Sequence, residues 1–239
     1  MDENFTLPTD CTSTFGIRCS VELLFWYDRR NFTITWRSET LTKEEYSNEE
    51  RHFLMIETAE RPFFSYNIEY KCREADHCTS IFVRKIIPKM IQHSFNLTAI
   101  FVRLKKLLYD KQFLNNHLAC FTMQEEIRQC SIPGTIGHCQ MVDDLIKSKL
   151  YRSNCERGVR PSASVNIYDS GHFAVITIKC NRMLCNGPLT ITAVKKLLRY
   201  HNITNEHDRL SAGNLSKWLS STVFILTVFL LFTINASIT

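Results

Sequence analysis

Glycine is scarce in this sequence, with seven in 239 residues. Loops that hold phosphate groups depend on closely spaced glycines, and the chain contains no Walker loop, GxGxxG or GxSxG pattern. It also contains no CxxC pair and no HExxH pattern, and its eight histidines are scattered. These absences argue against nucleotide-binding proteins, serine hydrolases and zinc enzymes. We therefore expect no catalytic residue, no metal site and no cofactor, although a disulfide-rich secreted enzyme stays a third class of interpretation.

A large charge excess is absent too. The formal net charge is +5, and 44% hydrophobic with 22% charged residues is ordinary globular composition. Nucleic acid is not an expected partner. Basic residues cluster on two predicted helices and could attract acidic glycans or anionic head groups, but a solvated polar face is the preferred interpretation. These residues are Arg84, Lys85, Lys89, Lys195, Lys196 and Arg199.

Cysteine is abundant by contrast, with ten residues and therefore an even number. Without a metal-binding spacing, ten thiols fit an oxidising compartment, where they would form five disulfides. N-x-[ST] triplets support a secretory route. These triplets begin at Asn4, Asn31, Asn96, Asn202, Asn214 and Asn235. The first five asparagines are the predicted glycosylation sites.

The amino terminus offers no secretion signal. The stretch MDENFTLPTDCTSTFG contains acidic residues but no basic region and no apolar run. Either the chain begins downstream of its true start, which is the preferred interpretation, or it is not secreted by the usual signal.

The carboxyl terminus resembles the signal for a glycosylphosphatidylinositol (GPI) anchor. Residues 223–234 are strongly apolar but too few for a ~30 Å hydrocarbon core, which takes about 20 residues. Upstream stand the small residues Ser211, Ala212 and Gly213, followed by a polar spacer, which is the layout of an attachment signal. We predict attachment at Ser211 and a location in the outer leaflet of the plasma membrane. The alternative is a tail-anchored, single-span membrane protein of structural or interaction type.

An internal repeat divides the chain. Residues 66–98 can be laid over residues 174–204 with one shared order: a β-rich run, Lys-Cys, a short loop, Cys, a basic amphipathic helix and a sequon. Cys72 then matches Cys180, and Cys78 matches Cys185. The predicted organisation is module one at 1–98, a helical connector at 99–118, module two at 119–208 and the anchoring tail at 209–239.

Each module is predicted to be rich in strands and to end in one helix. Module one has strand patterns at 21–27, 31–37, 52–58 and 63–72, and module two has a hairpin signal at 169–171. Pro88 is expected to kink or shorten the first helix. Asp143 and Asp144 are expected to cap or solvate a short helix that runs to Leu150.

The end of module two, Cys180-x4-Cys185 followed by Asn186, resembles the three-finger family, which includes lymphocyte-antigen-six proteins, the urokinase receptor and snake toxins. In that family the last two cysteines close a small loop, and the asparagine ties the end of the domain to its core. The pairs that the resemblance implies are Cys11–Cys19, Cys72–Cys78, Cys120–Cys139, Cys130–Cys155 and Cys180–Cys185.

The resemblance implies a fold class and a function. The expected fold is mainly β with a few helices, a small disulfide-rich α+β protein of two tandem three-finger-like modules, each followed by a basic amphipathic helix. The expected function is non-enzymatic binding at the cell surface by a GPI-anchored glycoprotein. Its partner would be an extracellular protein or glycan.

Overall fold

The computed structural model describes residues 17–40, 49–59, 61–72, 78–111, 118–130, 136–147, 149–158 and 162–211. Within these ranges the chain forms ten strands and three helices. The strands are β1 (Ile17–Trp26), β2 (Asn31–Thr40), β3 (Glu49–Glu57), β4 (Phe63–Cys72), β5 (Ala119–Phe121), β6 (Ile127–Gln129), β7 (Ile136–Asp144), β8 (Lys149–Gly158), β9 (Ser164–Asp169) and β10 (Ala174–Cys180). The helices are α1 (Cys78–Gln92), α2 (Leu97–Leu108) and α3 (Pro188–Tyr200). The protein is therefore mainly β, with three helices in the described part.

Eight of the strands form one antiparallel sheet in the order β2-β1-β4-β3-β9-β10-β7-β8, while β5 and β6 form a separate pair. The sheet joins strands of both predicted modules through β3 and β9. We call the β3–β9 pair the seam. Outward from the seam, one half runs β3, β4, β1, β2 and the other runs β9, β10, β7, β8, so the two halves have the same strand order. The registers also correspond, because Cys19 lies opposite Cys72 in one half and Cys139 lies opposite Cys180 in the other.

One face of the sheet carries the hydrophobic core. Burial alternates along the strands because successive side chains point to opposite faces, and every second residue of β10 from Ala174 to Cys180 is buried. The helices contribute Val83, Leu104 and Leu198 to the same cluster, and each has 0% exposure. Burying a large aliphatic side chain stabilises the fold by about 1.5–3 kcal/mol. This shared core, rather than local propensity, holds the helices on the sheet.

Two local predictions have clear outcomes. The short helix expected to run to Leu150 is wrong, because β7 continues through Asp144 and a turn leads into β8. Asp144 Oδ1 accepts hydrogen bonds from the backbone N–H groups of Ile146 at 2.9 Å and Lys147 at 3.0 Å, which closes the turn. The same bonds lower the pKa of Asp144. Pro88 does not end α1, which continues to Gln92.

Four disulfides lie in the described residues, and they join the pairs that the resemblance implied. They are Cys72–Cys78, Cys120–Cys139, Cys130–Cys155 and Cys180–Cys185. Cys19 is disulfide-bonded as well, and its predicted partner, Cys11, lies outside the described residues. The described part of the chain contains no free cysteine.

The asparagines that follow Cys180 and Cys185 tie distant segments together. Asn186 is buried, and its Oδ1 accepts from the Phe121 N–H at 2.9 Å while its Nδ2 donates to the Phe121 carbonyl at 2.9 Å. The Asn186 Nδ2 also donates to Ser153 Oγ at 2.8 Å. Asn181 makes the corresponding pair of bonds with the backbone of Asp110, at 2.9 and 2.8 Å. These two amides connect the Cys180–Cys185 loop to β5 and to the end of α2.

We predict that Asn186→Ala destabilises the protein by about 2–4 kcal/mol, because it leaves the buried backbone groups of Phe121 and the Ser153 hydroxyl short of a partner. The free energy of unfolding in urea measures this loss. Gln124→Ala, at an exposed turn residue beside β5, is the control and should change stability little. Equal effects of the two substitutions would show that the Asn186 bonds are not important for stability.

Candidate binding cleft

A cleft of about 960 Å³ opens where β3 begins and β9 ends. Its walls come from the two strand ends, the turn between β7 and β8, α3 and the segment 205–210. The cleft therefore lies beside the seam between the two halves of the sheet. Its lining is mainly polar and charged, and Leu145, Ile146 and Leu210 add apolar surface.

His52 stands at the floor of the cleft, opposite Asp169 in the β3–β9 pair. Its Nδ1 lies 2.7 Å from the Tyr66 hydroxyl, and its Nε2 lies 2.9 Å from Glu50 Oε1. Burial raises the pKa of Tyr66 well above its ordinary value, so the phenol stays protonated and is able to donate to Nδ1. The imidazole then donates through Nε2 to the carboxylate of Glu50. These bonds orient His52 across the floor.

Asp169 binds the segment 205–210 to the sheet. Arg209 donates from Nε to Oδ2 of Asp169 at 2.7 Å and from its terminal nitrogen to Oδ1. The Asp169 side chain is only 9% exposed. Burial alone would raise the pKa of Asp169, but hydrogen bonds from Arg209 and from the Gly171 N–H outweigh it and hold the pKa below its usual value. Such bidentate Arg–carboxylate pairs are among the stronger charged contacts in proteins.

A second ionic contact joins α3, β7 and the same segment. Lys195 Nζ lies 2.6 Å from Asp143 Oδ2 and 3.6 Å from Asp208 Oδ2. Arg199 Nε lies 3.0 Å from Asp208 Oδ1. Lys195 is 17% exposed and Asp143 12%, so this pair is shielded from solvent. Lys195 is therefore not simply solvated, whereas Arg199 is 43% exposed and has an acidic partner as well.

The rim of the cleft offers groups that remain open to solvent. Glu206 and His207 have side chains exposed by 86% and 77% and lie 3.5 Å apart. Charged groups of both signs and other hydrogen-bonding groups therefore line one concave surface. Ion pairs and the sheet hold the elements that carry these groups. Such an arrangement suits the recognition of a polar surface.

The described residues present no arrangement for metal binding or thiol catalysis. The sulfurs of Cys120, Cys130 and Cys155 lie within 4.8 Å of one another, but each is in a disulfide and so is not a thiolate ligand. His138 stands beside Cys139, whose sulfur is also bridged. Among the described residues, these cysteines are structural.

The predicted modification sites lie at the surface where they are described. Asn31 begins β2, Asn96 caps the amino terminus of α2, and Asn202 follows α3, and all three are exposed. Ser211, the predicted lipid attachment residue, donates its N–H to the Ile203 carbonyl at 3.0 Å. Asn4, Asn214, Asn235 and the apolar tail lie outside the described residues. Among the described helices, none has the length and apolarity to span a bilayer.

The sequence contains little signal for the cleft, because its residues come from separated segments that only the folded sheet brings together. The sequence predicts that Asp143 caps or solvates a short helix and that Lys195 and Arg199 lie on a helix face, but no local pattern connects these residues. Comparison with known proteins adds no assignment: no protein-family model matches the chain, and no curated protein matches it.

We predict that Asp169→Asn lowers stability at pH 7 and that this difference shrinks in acid. Because the folded-state pKa of Asp169 is depressed, its carboxylate contributes stability above the unfolded pKa, and this is lost as pH falls through the folded pKa. Urea unfolding of both proteins at neutral pH and at about pH 3 measures the change. Glu206→Gln, on the exposed rim, is the control and should show no such convergence. A difference independent of pH for Asp169→Asn would contradict the ionic role.

Proposed function

We propose that this protein is a GPI-anchored, glycosylated cell-surface protein that binds an extracellular protein or glycan without catalysing a reaction. The observation that carries the proposal is the state of the cysteines. All nine cysteines in the described residues are in disulfides, so no described thiol is left reduced. Disulfides in such numbers are typical of the secretory route and rare in the cytosol.

The disulfides also favour a binding role because they fix loops and strand ends. Cys120–Cys139 attaches β5 to β7, and Cys130–Cys155 attaches the end of the β5–β6 hairpin to β8. Each such bridge stabilises a small domain by about 2–4 kcal/mol, mainly by restricting the unfolded chain. Recognition loses less entropy when the contact surface is rigid beforehand. The cleft, held by ion pairs, and the β5–β6 hairpin, held by disulfides, supply two such surfaces.

The exposed sequons support the same compartment. Asn96 is exposed and accepts a hydrogen bond from the Ala99 N–H through Oδ1 at 3.1 Å, so this cap does not use the amide nitrogen, where an N-linked glycan attaches. A glycan at Asn96 is therefore compatible with the helix cap. Asn31 and Asn202 are equally exposed.

We further infer that the two halves derive from one ββββα unit that was duplicated. Support comes from the matched strand order, from the corresponding cysteine registers, and from the helix that follows each short disulfide loop. Kinship of each unit with the three-finger family, and thus two tandem three-finger-like modules, stays a prediction. The disulfide pairs and the Asn186 contacts are what favours it.

The test is expression in animal cells behind a competent signal peptide, followed by phosphatidylinositol-specific phospholipase C on intact cells. We expect release of a surface-labelled glycoprotein into the medium. Thr98→Ala should remove one step from its glycan ladder, because it destroys the Asn96 sequon, while Thr98→Ser keeps the sequon and is the matched control.

Two results would count against the proposal. Retention of the protein on treated cells would exclude the lipid anchor and favour the tail-anchored alternative. Equal migration of Thr98→Ala and Thr98→Ser would mean that the Asn96 sequon carries no glycan.

A further inference from the structure

All the charged side chains on the three helices are basic. Together α1, α2 and α3 contain nine lysine and arginine residues and no aspartate or glutamate. If signs were drawn at random from the chain's 29 basic and 24 acidic residues, this would occur in roughly one case in four hundred. The whole chain has a net charge of only +5, so the acidic residues are concentrated on other elements.

Some of these basic residues have acidic partners and some do not. Lys195 and Arg199 bind Asp143 and Asp208 in the cleft. Arg103, Lys106 and Lys196 are exposed, and in the described part of the chain no carboxylate forms an ion pair with them. Their charges are therefore available to a ligand.

The available residues form one surface across α2 and α3, which pack against each other. The Arg103 guanidinium lies 5.3 Å from the centre of the Tyr200 ring, and this contact bridges the two helices. Arg182 donates to the Lys106 carbonyl and so stands beside the end of α2. Lys196 lies one turn before Tyr200 on α3. We call Arg103, Lys106, Arg182, Lys196 and Tyr200 the basic patch.

The positive charge of the basic patch contributes to the pKa of a neighbouring histidine. His201 follows Tyr200, and burial first and the charge of Arg103 second lower its pKa. A group with a lowered pKa stays neutral at physiological pH, so His201 adds no charge of its own.

We propose that the basic patch binds a sulfated, polyanionic glycan. This deepens the proposed function, because such glycans are extracellular, and it names the ligand class for one surface. The cations on these two helices have no carboxylate partner among the described residues, and their spread fits a polymer with repeated negative groups. A compact ion pair inside the cleft does not fit such a polymer. Tyr200 is 70% exposed and offers a flat aromatic face to the apolar side of a sugar ring.

A lipid surface fits these helices less well. Membrane-bound helices present a continuous apolar face that enters the bilayer. The outer side of α3 has Leu189 in its first turn and Tyr200 in its last, about 16 Å apart, with Lys196 between them. On α2 the exposed Val102 is next to Arg103. Charge, rather than apolar area, is what this surface offers.

The experiment measures binding of the glycosylated ectodomain to immobilised heparin as the sulfated probe, with neutral dextran as the blank. The test variant is Arg103→Ala, Lys106→Ala and Lys196→Ala together. The matched control is Arg61→Ala, Arg128→Ala and Lys149→Ala, which removes the same charge from exposed turn and strand positions. Alanine preserves helix propensity at the test sites, and circular dichroism checks the fold of both variants.

We expect the test variant to bind heparin about tenfold more weakly and the control to change by less than about threefold. Added salt should weaken the wild type more than the test variant, because exposed charges are screened. Equal losses in the two variants would show that only net charge matters and would overturn the proposal, as would no heparin binding at all.

A parallel arm uses vesicles of phosphatidylcholine with phosphatidylserine. Binding to these vesicles that depends on the test residues, without heparin binding, would assign the basic patch to a lipid surface instead. Both arms use purified protein, so heparin binding can fail while phospholipase release and the glycan ladder still support the proposed function. Equally, heparin binding can succeed while the cell-surface experiment fails.

Discussion

Pairing between β3 and β9 is the interaction on which the rest of the structure depends. Leu54 lies opposite Ile167 and Ile56 opposite Val165, and all four side chains are buried under the helices. Without this ladder the sheet would divide into two four-stranded halves, each with a long exposed edge, which proteins normally avoid. The cleft depends on it too, because the pair of His52 and Asp169 at the end of the seam forms its floor.

The remaining contacts fix the chain around that seam. Arg209 holds the carboxyl-terminal segment on β9, and Asn181 and Asn186 hold the end of α2 and β5 against the Cys180–Cys185 loop. Disulfides likewise hold strand ends in place, because a small hydrophobic core alone would not do so. The result is a sheet with two surfaces of different chemistry: a cleft of paired charges, and a basic patch whose helix cations have no carboxylate partner among the described residues. Rigid surfaces of this kind suit binding.

Local patterns predicted the local structure well. The strands of module one, the hairpin at 169–171 and the helices after Cys78 and Cys185 follow from alternation and helical spacing, and the four described disulfides join the pairs that the resemblance implied. The β7–β8 hairpin was missed because MVDDLIKSKL has apolar residues at helical spacing, and its pairing with β10 overrides that preference. The seam and the cleft were missed because they join segments far apart in the sequence, which no local pattern can connect.

We propose that this sheet is built in an oxidising compartment and is held by disulfides. The most direct measurement is peptide mapping of the protein from the surface of animal cells, alkylated under denaturing conditions without reduction. We expect that no cysteine is alkylated and that the linked peptides include Cys120–Cys139, Cys130–Cys155 and Cys11–Cys19. Alkylation of these cysteines without prior reduction, or other pairings between them, would overturn this interpretation.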